Sequence, residues 1–254
     1  MSQELSILKI KEELDTDTDR SELATALLRS LASYVPKIGP ILAQVIGIVI
    51  PNQKVDRLVA FVKVLGDRVK YLEEDTVKLQ METPEFTDLL EDSLIQASRA
   101  LTDERRGYIA SLLTNSITNE NLAHLEEKKL LSLLGDLNDA EVLTLKFCSL
   151  SLGGKRSFSA LHKELFAPLD ISFGAPQQNV DRGALRDGYR NKLLELGLLE
   201  PVYKKQEAGK LPEFDDKTGR MKATAHRVTR LGKLLLRYID QSAPSDKGES
   251  PMKE

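Results

Sequence analysis

Between Gln53 and Leu79, the residues Val55, Leu58, Val62, Leu65, Val69 and Leu72 recur three and four apart. Side chains at that spacing share one stripe of an α-helix, so the pattern predicts a long helix with its charges on the other faces. Similar stripes follow. Thr83-Pro84 opens a helix carrying Phe86, Leu89, Leu90 and Leu94, because a threonine hydroxyl accepts from free N–H groups and proline suits a first turn. Thr102 caps the next helix, with Tyr108, Ile109, Leu112 and Leu113 on it. Another is expected over 119–134, with Gly135 as its C-cap. Asn138 and Glu141 have the spacing of a capping box ahead of a helix over 140–150. Upstream, a short amphipathic helix is expected over 2–14 and a second from Asp19 to Tyr34.

The pattern changes after Leu150. Gly153 to Arg156 reads as a turn, Ser157 as the cap of a helix to Phe166, and 167–180 as a loop. From Asp181 to Leu196, the apolar residues Leu185, Tyr189, Leu193, Leu194 and Leu196 alternate with Arg182, Arg186, Arg190 and Lys192. Gly197 then turns the chain through a left-handed conformation into a strand over 198–204. A polar excursion returns as a second strand over 221–228 and runs into a helix at Thr229. Helix, strand, hairpin, strand and helix in that order are the layout of a winged helix. The run of Leu193 to Leu199 followed by HRVTRLGKLLLRYI is similar to many bacterial winged-helix regulators, over about residues 137–240. The expected fold is mainly α: a helical bundle over 1–135, then a winged helix-turn-helix domain over 136–241 with a two-stranded β wing, and a disordered tail over 242–254.

Charge divides along the same line. The whole chain has 36 Lys and Arg against 39 Asp and Glu, a net −3. From Asp181 to Arg237, fourteen basic and eight acidic residues leave +6, so the remainder carries −9. A basic unit in an acidic chain meets either an anionic partner or its own acidic half. On a duplex, Arg182, Arg186 and Arg190, at i, i+4 and i+8, would align toward the groove, with Lys192 beside them. Lys204, Lys205, Arg220 and Lys222 would bring the wing to backbone phosphates. Acidic residues on the same helix and wing are equally compatible with protein contact or a solvated face.

The segment from Ile38 to Gln53 is the longest uncharged run, with Ile38, Ile41, Leu42, Val45, Ile46, Ile48, Val49 and Ile50 on every helical face. Its sixteen residues fall short of the roughly 20 that span a bilayer, and Pro40, Gln44 and Pro51 interrupt it. It is read first as a buried bundle helix, then as a partner surface or a membrane-acting segment.

No catalytic constellation is present. His124, His162 and His226 lack ligand spacing, Cys148 lies within an apolar run, and Gly153-Gly154-Lys155 lacks the phosphate-loop spacing. No cofactor, metal or small-molecule substrate is inferred. One cysteine and a charged N-terminus without an apolar core point to the cytoplasm.

The stretch over residues 84–147, through Ala100, Glu104, Ala110, Leu112, Leu113, Leu134 and Leu137, resembles the helical abortive-infection alpha type of bacterial phage-defence protein. These are packing positions, so the resemblance implies a bacterial source and a defence role and carries no functional residues. The expected function is non-enzymatic macromolecular binding, in which the bundle supplies self-association or contact with a protein partner and the winged helix supplies recognition, of nucleic acid or protein. A DNA-binding regulator with a helical dimerisation domain and a membrane-acting effector using residues 38–51 are the alternatives.

Overall fold

A computed structural model describes residues 55–72, 83–118, 122–170, 172, 174–204, 213, 214, 219 and 221–243. The helices expected over 2–14 and 19–34, and the apolar segment from Ile38 to Gln53, lie outside the described residues. The described chain is mainly helical with one two-stranded antiparallel sheet, and it divides into two compact units.

The first unit comprises the chain up to Gly135, joined by Tyr238–Asp240. Its described helices are α1 (Val55–Val69), α2 (Pro84–Arg99), α3 (Asp103–Thr118) and α4 (His124–Asp136). The first three pack on one another through Leu58, Phe61, Leu65, Leu89, Leu94, Ile109 and Leu112, all fully buried. Each such side chain contributes about 1.5–3 kcal/mol. Thr83 caps α2 by accepting from the Phe86 N–H at 3.2 Å, and Thr102 caps α3 by accepting from that of Arg105 at 3.1 Å. Helix α3 also buries Ser111 and Ser116, whose hydroxyls donate back to the Gly107 and Leu112 carbonyls. A serine in a core is tolerated when its own helix supplies the acceptor.

Gly135 stands inside the last turn of α4 and does not cap it from beyond its end. Side chains satisfy the helix end instead: Gln96 Nε2 donates to the Leu131 carbonyl and Arg105 Nη1 to that of Leu134. A Cβ at 135 would lie 2.9 Å from Gln96 Nε2, so the glycine makes room for that donor.

Glu127 is buried on α4, and burial pushes its carboxyl above the ordinary glutamate value, against the pull of the Ser116 hydroxyl and His124. The folded chain therefore holds this proton more tightly than the unfolded one. Stability falls as pH rises from the ordinary 4.5 through the raised value. Glu127→Gln should remove that slope and raise the melting temperature at pH 7, with no gain below pH 4. Calorimetry over a pH series checks this; a variant that melts lower than wild type at pH 7 refutes it.

The second unit is Asp136–Arg237 with the chain from Gln241. Helix α5 (Asp139–Ser149) opens with the expected capping box, Glu141 N–H to Asn138 Oδ1 at 2.9 Å and Asn138 N–H to Glu141 Oε2 at 2.8 Å. Helix α6 (Leu152–Leu161) starts earlier than the expected cap at Ser157. Ser151 is the cap, accepting from Gly154 N–H, and the glycine pair lies in the first helical turn. One-turn helix α7 (Lys163–Phe166) follows. Neither α6 nor α7 has a fully buried residue. Phe147 of α5 instead stacks on Phe166 with ring centroids 4.6 Å apart, and Phe158 leans on His162 at 4.4 Å.

Helix α8 (Gln177–Glu195) begins four residues before the expected Asp181. It ends as the sequence predicts. Gly197 takes φ +68°, Leu198 N–H reaches back to the Leu193 carbonyl, and Gly197 N–H to that of Leu194. Leu193 and Leu198, the two positions where such a turn favours apolar side chains, are both fully buried. Strand β1 (Leu199–Tyr203) pairs antiparallel with β2 (Ala223–Val228), Leu199 opposite Val228 and Val202 opposite Ala225. An isolated bridge between Phe214 and Met221 lies further along the hairpin.

Helix α9 (Arg230–Tyr238) is tied to the Schellman turn by Thr229. The Thr229 N–H donates to the Leu198 carbonyl and its hydroxyl to that of Gly197, while the same hydroxyl accepts from Gly232 N–H. Of the tail expected over 242–254, Ser242 and Ala243 are described and Ala243 is buried, while 244–254 lie outside the described residues. No helix among the described residues is long and apolar enough to cross a membrane.

Candidate functional site

The inward side of α8 follows from its sequence at 3.6 residues per turn. Asn179, Gly183, Arg186, Tyr189, Arg190 and Leu193 are half-buried or buried, and they fall on one face. The opposite face exposes Gln177, Asp181, Ala184, Leu185, Gly188, Asn191 and Glu195. Arg182, Arg186 and Arg190 do share a face, as their spacing predicts, but Arg186 and Arg190 lie on the side that packs against their own unit.

Each arginine has a different setting. Arg186 Nη1 donates to the Ala167 carbonyl at the end of α7, at 2.7 Å, and its Nη2 is buried without a partner among the described residues. Burial, and then the nearby Arg182, pull its guanidinium below the ordinary arginine value. Arg190 is half-buried and ion-paired to Asp187 at 3.0 Å. Arg182 alone of the three is exposed. Lys192 is half-buried, and Lys204 and Lys222 are exposed on the hairpin. The Lys222 backbone is fixed there by its N–H to the Glu213 carbonyl at 2.8 Å. Lys205 and Arg220 lie outside the described residues.

The titratable groups behind α8 have the character of packing. Burial pushes the Cys148 thiol up, against the opposing charges of Lys155 and Arg190. Burial, then Arg190, lowers the His226 imidazole. A protonated thiol is a poor nucleophile, so this corner offers little reactivity. Among the described residues, no three His, Cys, Asp or Glu side chains converge in a metal-binding arrangement.

Two features escaped the sequence reading. On α8, Val180 and Leu185 are exposed, at 42% and 57%, although an apolar residue on a helix is ordinarily taken as core. The second feature is charge order. From Lys217 to Ile239 the chain has Lys217, Arg220, Lys222, Arg227, Arg230, Lys233 and Arg237 and no Asp or Glu. Arg227, Arg230, Lys233 and Arg237 are all exposed. A count by domain blurs this run with the mixed charges of α8; a count along the chain isolates it.

Comparison with known protein families, curated proteins and solved structures finds no match to this chain.

Proposed function

We propose that this chain is a non-enzymatic macromolecular-binding protein whose second unit works as a winged-helix module recognising a protein partner through the outward face of α8. One observation carries this reading. The exposed apolar side chains Val180 and Leu185 lie about the outward face with the small Ala184 and Gly188, while Arg186 and Arg190 turn inward and are engaged. A recognition helix that reads a duplex presents cations and hydrogen-bonding side chains to the groove. A helix that docks on protein presents apolar contact flanked by polar residues. The outward face of α8 supports the second. The resemblance of residues 84–147 to abortive-infection alpha proteins makes bacterial phage defence, in the cytoplasm, the proposed setting.

The test places a photo-crosslinking benzoylphenylalanine at position 185 of the full chain in bacterial cells. Adducts of discrete mass that protease removes and nuclease does not are expected. With the crosslinker moved to 181, Leu185→Glu should abolish them, because it places a charge in the apolar contact. Adducts removed by nuclease would overturn the reading in favour of a duplex-reading helix.

A further inference from the structure

We propose that the far end of the β1–β2 hairpin is a self-association surface, on which Tyr203, Phe214 and Met221 meet the same face of a second copy of this chain. It is separate from the outward face of α8, and neither reading rests on the other.

The face follows from the register. Leu199, Pro201 and Tyr203 alternate onto one side of β1, and Leu199, opposite Val228, lies on the side that packs into the core. Tyr203 stands opposite Ala223. Met221 comes two residues before Ala223, so its side chain alternates onto that same side. The Lys222 N–H donates to the Glu213 carbonyl at 2.8 Å, which makes Phe214 and Met221 the closely spaced, non-hydrogen-bonded kind of cross-strand pair. The core-facing side of the sheet thus runs on past the core. Where Leu199 is buried, Tyr203 is 44% exposed, Met221 37% and Phe214 57%. Three large apolar side chains in a row on one exposed face mark a contact site rather than scattered surface residues.

Charge decides what covers it. Along the sequence Phe214 is flanked by Glu213, Asp215 and Asp216, whereas Met221 is flanked by Arg220 and Lys222. Glu213 and Lys222 are both exposed. A polyanion, whether nucleic acid or an anionic membrane, would be attracted at the Met221 arm and repelled at the Phe214 arm, and a polycation would meet the reverse. The surface that fits both arms at once carries the same two charges in the opposite order. A second copy turned about a two-fold axis supplies that order, because wherever residue i meets j, j also meets i. Phe214 then lies against Met221 of the second copy, a sulfur–aromatic contact, and Glu213 beside its Lys222. Three side chains a copy fall well below the roughly 800 Å² per partner of a standard interface, so the association is weak and depends on concentration.

Sedimentation equilibrium of the full chain, from about 5 µM to about 0.5 mM, where an interface of this size associates, is the test. The wild-type mass should climb toward that of a dimer. Phe214→Ser should weaken the association about tenfold or more by removing the apolar anchor. Glu213→Lys alone and Lys222→Glu alone should each weaken it by a similar factor, because each places like charges opposite one another. An equimolar mixture of those two variants should associate about tenfold more tightly than either one alone, since every cross-copy pair is then attractive. The mixture decides the matter even where a variant melts below wild type, because mixing cannot repair a fold within one chain. Three results would overturn the proposal: a wild-type chain that stays monomeric throughout; a dimer that survives Phe214→Ser; or a mixture no tighter than its components. All three leave the protein-docking reading of α8 standing, since no substituted residue lies on that helix.

Discussion

Gly232→Ala should destabilise the second unit by about 2 kcal/mol or more, although alanine is ordinarily the better helix former by about 1 kcal/mol. The reversal comes from a close approach. A Cβ at 232 would lie 2.4 Å from the Leu198 carbonyl oxygen and 2.8 Å from Val228 Cγ1. The neighbour in the way is backbone, and it cannot withdraw cheaply. Leu198 N–H is bonded to the Leu193 carbonyl, and its own carbonyl accepts from Thr229 N–H at 3.1 Å. Relief would open the Schellman turn, shift the start of α9, or both. Gly107→Ala and Gly188→Ala are the controls, since a Cβ at either position meets nothing within 4 Å. Each should stabilise its helix by about 0.5–1 kcal/mol. Urea unfolding followed by circular dichroism separates the signs. A Gly232→Ala protein as stable as Gly107→Ala would show that α9 does not pack on the turn this closely.

Most element boundaries were legible in the sequence because they rest on local chemistry. The capping box of Asn138 and Glu141, the Thr83 cap and the Gly197 turn each need only residues within four positions. The boundaries that moved are those where a non-local partner or a competing cap decides. Gly135 reads as a C-cap until Gln96, some forty residues earlier, is seen to occupy the space its Cβ would fill. Ser157 is a fair cap by type, yet Ser151 lies ahead of it, and glycines in a first turn do not stop a helix.

The site was legible to a lesser depth. Periodicity fixed that Arg182, Arg186 and Arg190 share a face and was silent on which way that face points. A mixed helix has two candidate inward sides, one lined by Leu185 and its neighbours and one by the arginine stems. Leu193 and the Schellman bond that its carbonyl accepts from Leu198 N–H decide it, drawing the C-terminal half of α8 inward on the arginine side. A guanidinium can go in with its stem packed and its head on a carbonyl, as Arg186 does, so charge is a weak guide to direction. Leu185 is left outside by the same geometry.

Arg106 is the largest departure from the rule that charges face water, and Arg106→Ala should cost the first unit about 2–4 kcal/mol. Its side chain is 9% exposed. Nη1 donates to the carbonyl of Ala100, the C-cap residue of α2, at 2.9 Å, and Nη2 pairs with Asp103. The guanidinium therefore holds the turn between α2 and α3. Two losses add in the alanine variant. The Ala100 carbonyl loses the donor that satisfies it, which costs about 1–3 kcal/mol for a buried group. The packed stem of the side chain leaves a void as well. The Asp103 carboxylate adds little, because its side chain is 86% exposed and water replaces the arginine. An opposing gain has to be weighed: Nε of Arg106 is buried with no partner among the described residues, so removing the charge also removes a desolvated donor. Arg106→Met separates these effects, since methionine refills the stem and cannot cap the carbonyl. We expect methionine to recover the packing share and remain about 1–2 kcal/mol below wild type. If methionine matches or exceeds wild type in urea unfolding, the guanidinium is a net burden and the carbonyl contact contributes nothing. If alanine itself falls within about 0.5 kcal/mol of wild type, Arg106 does not hold the turn at all.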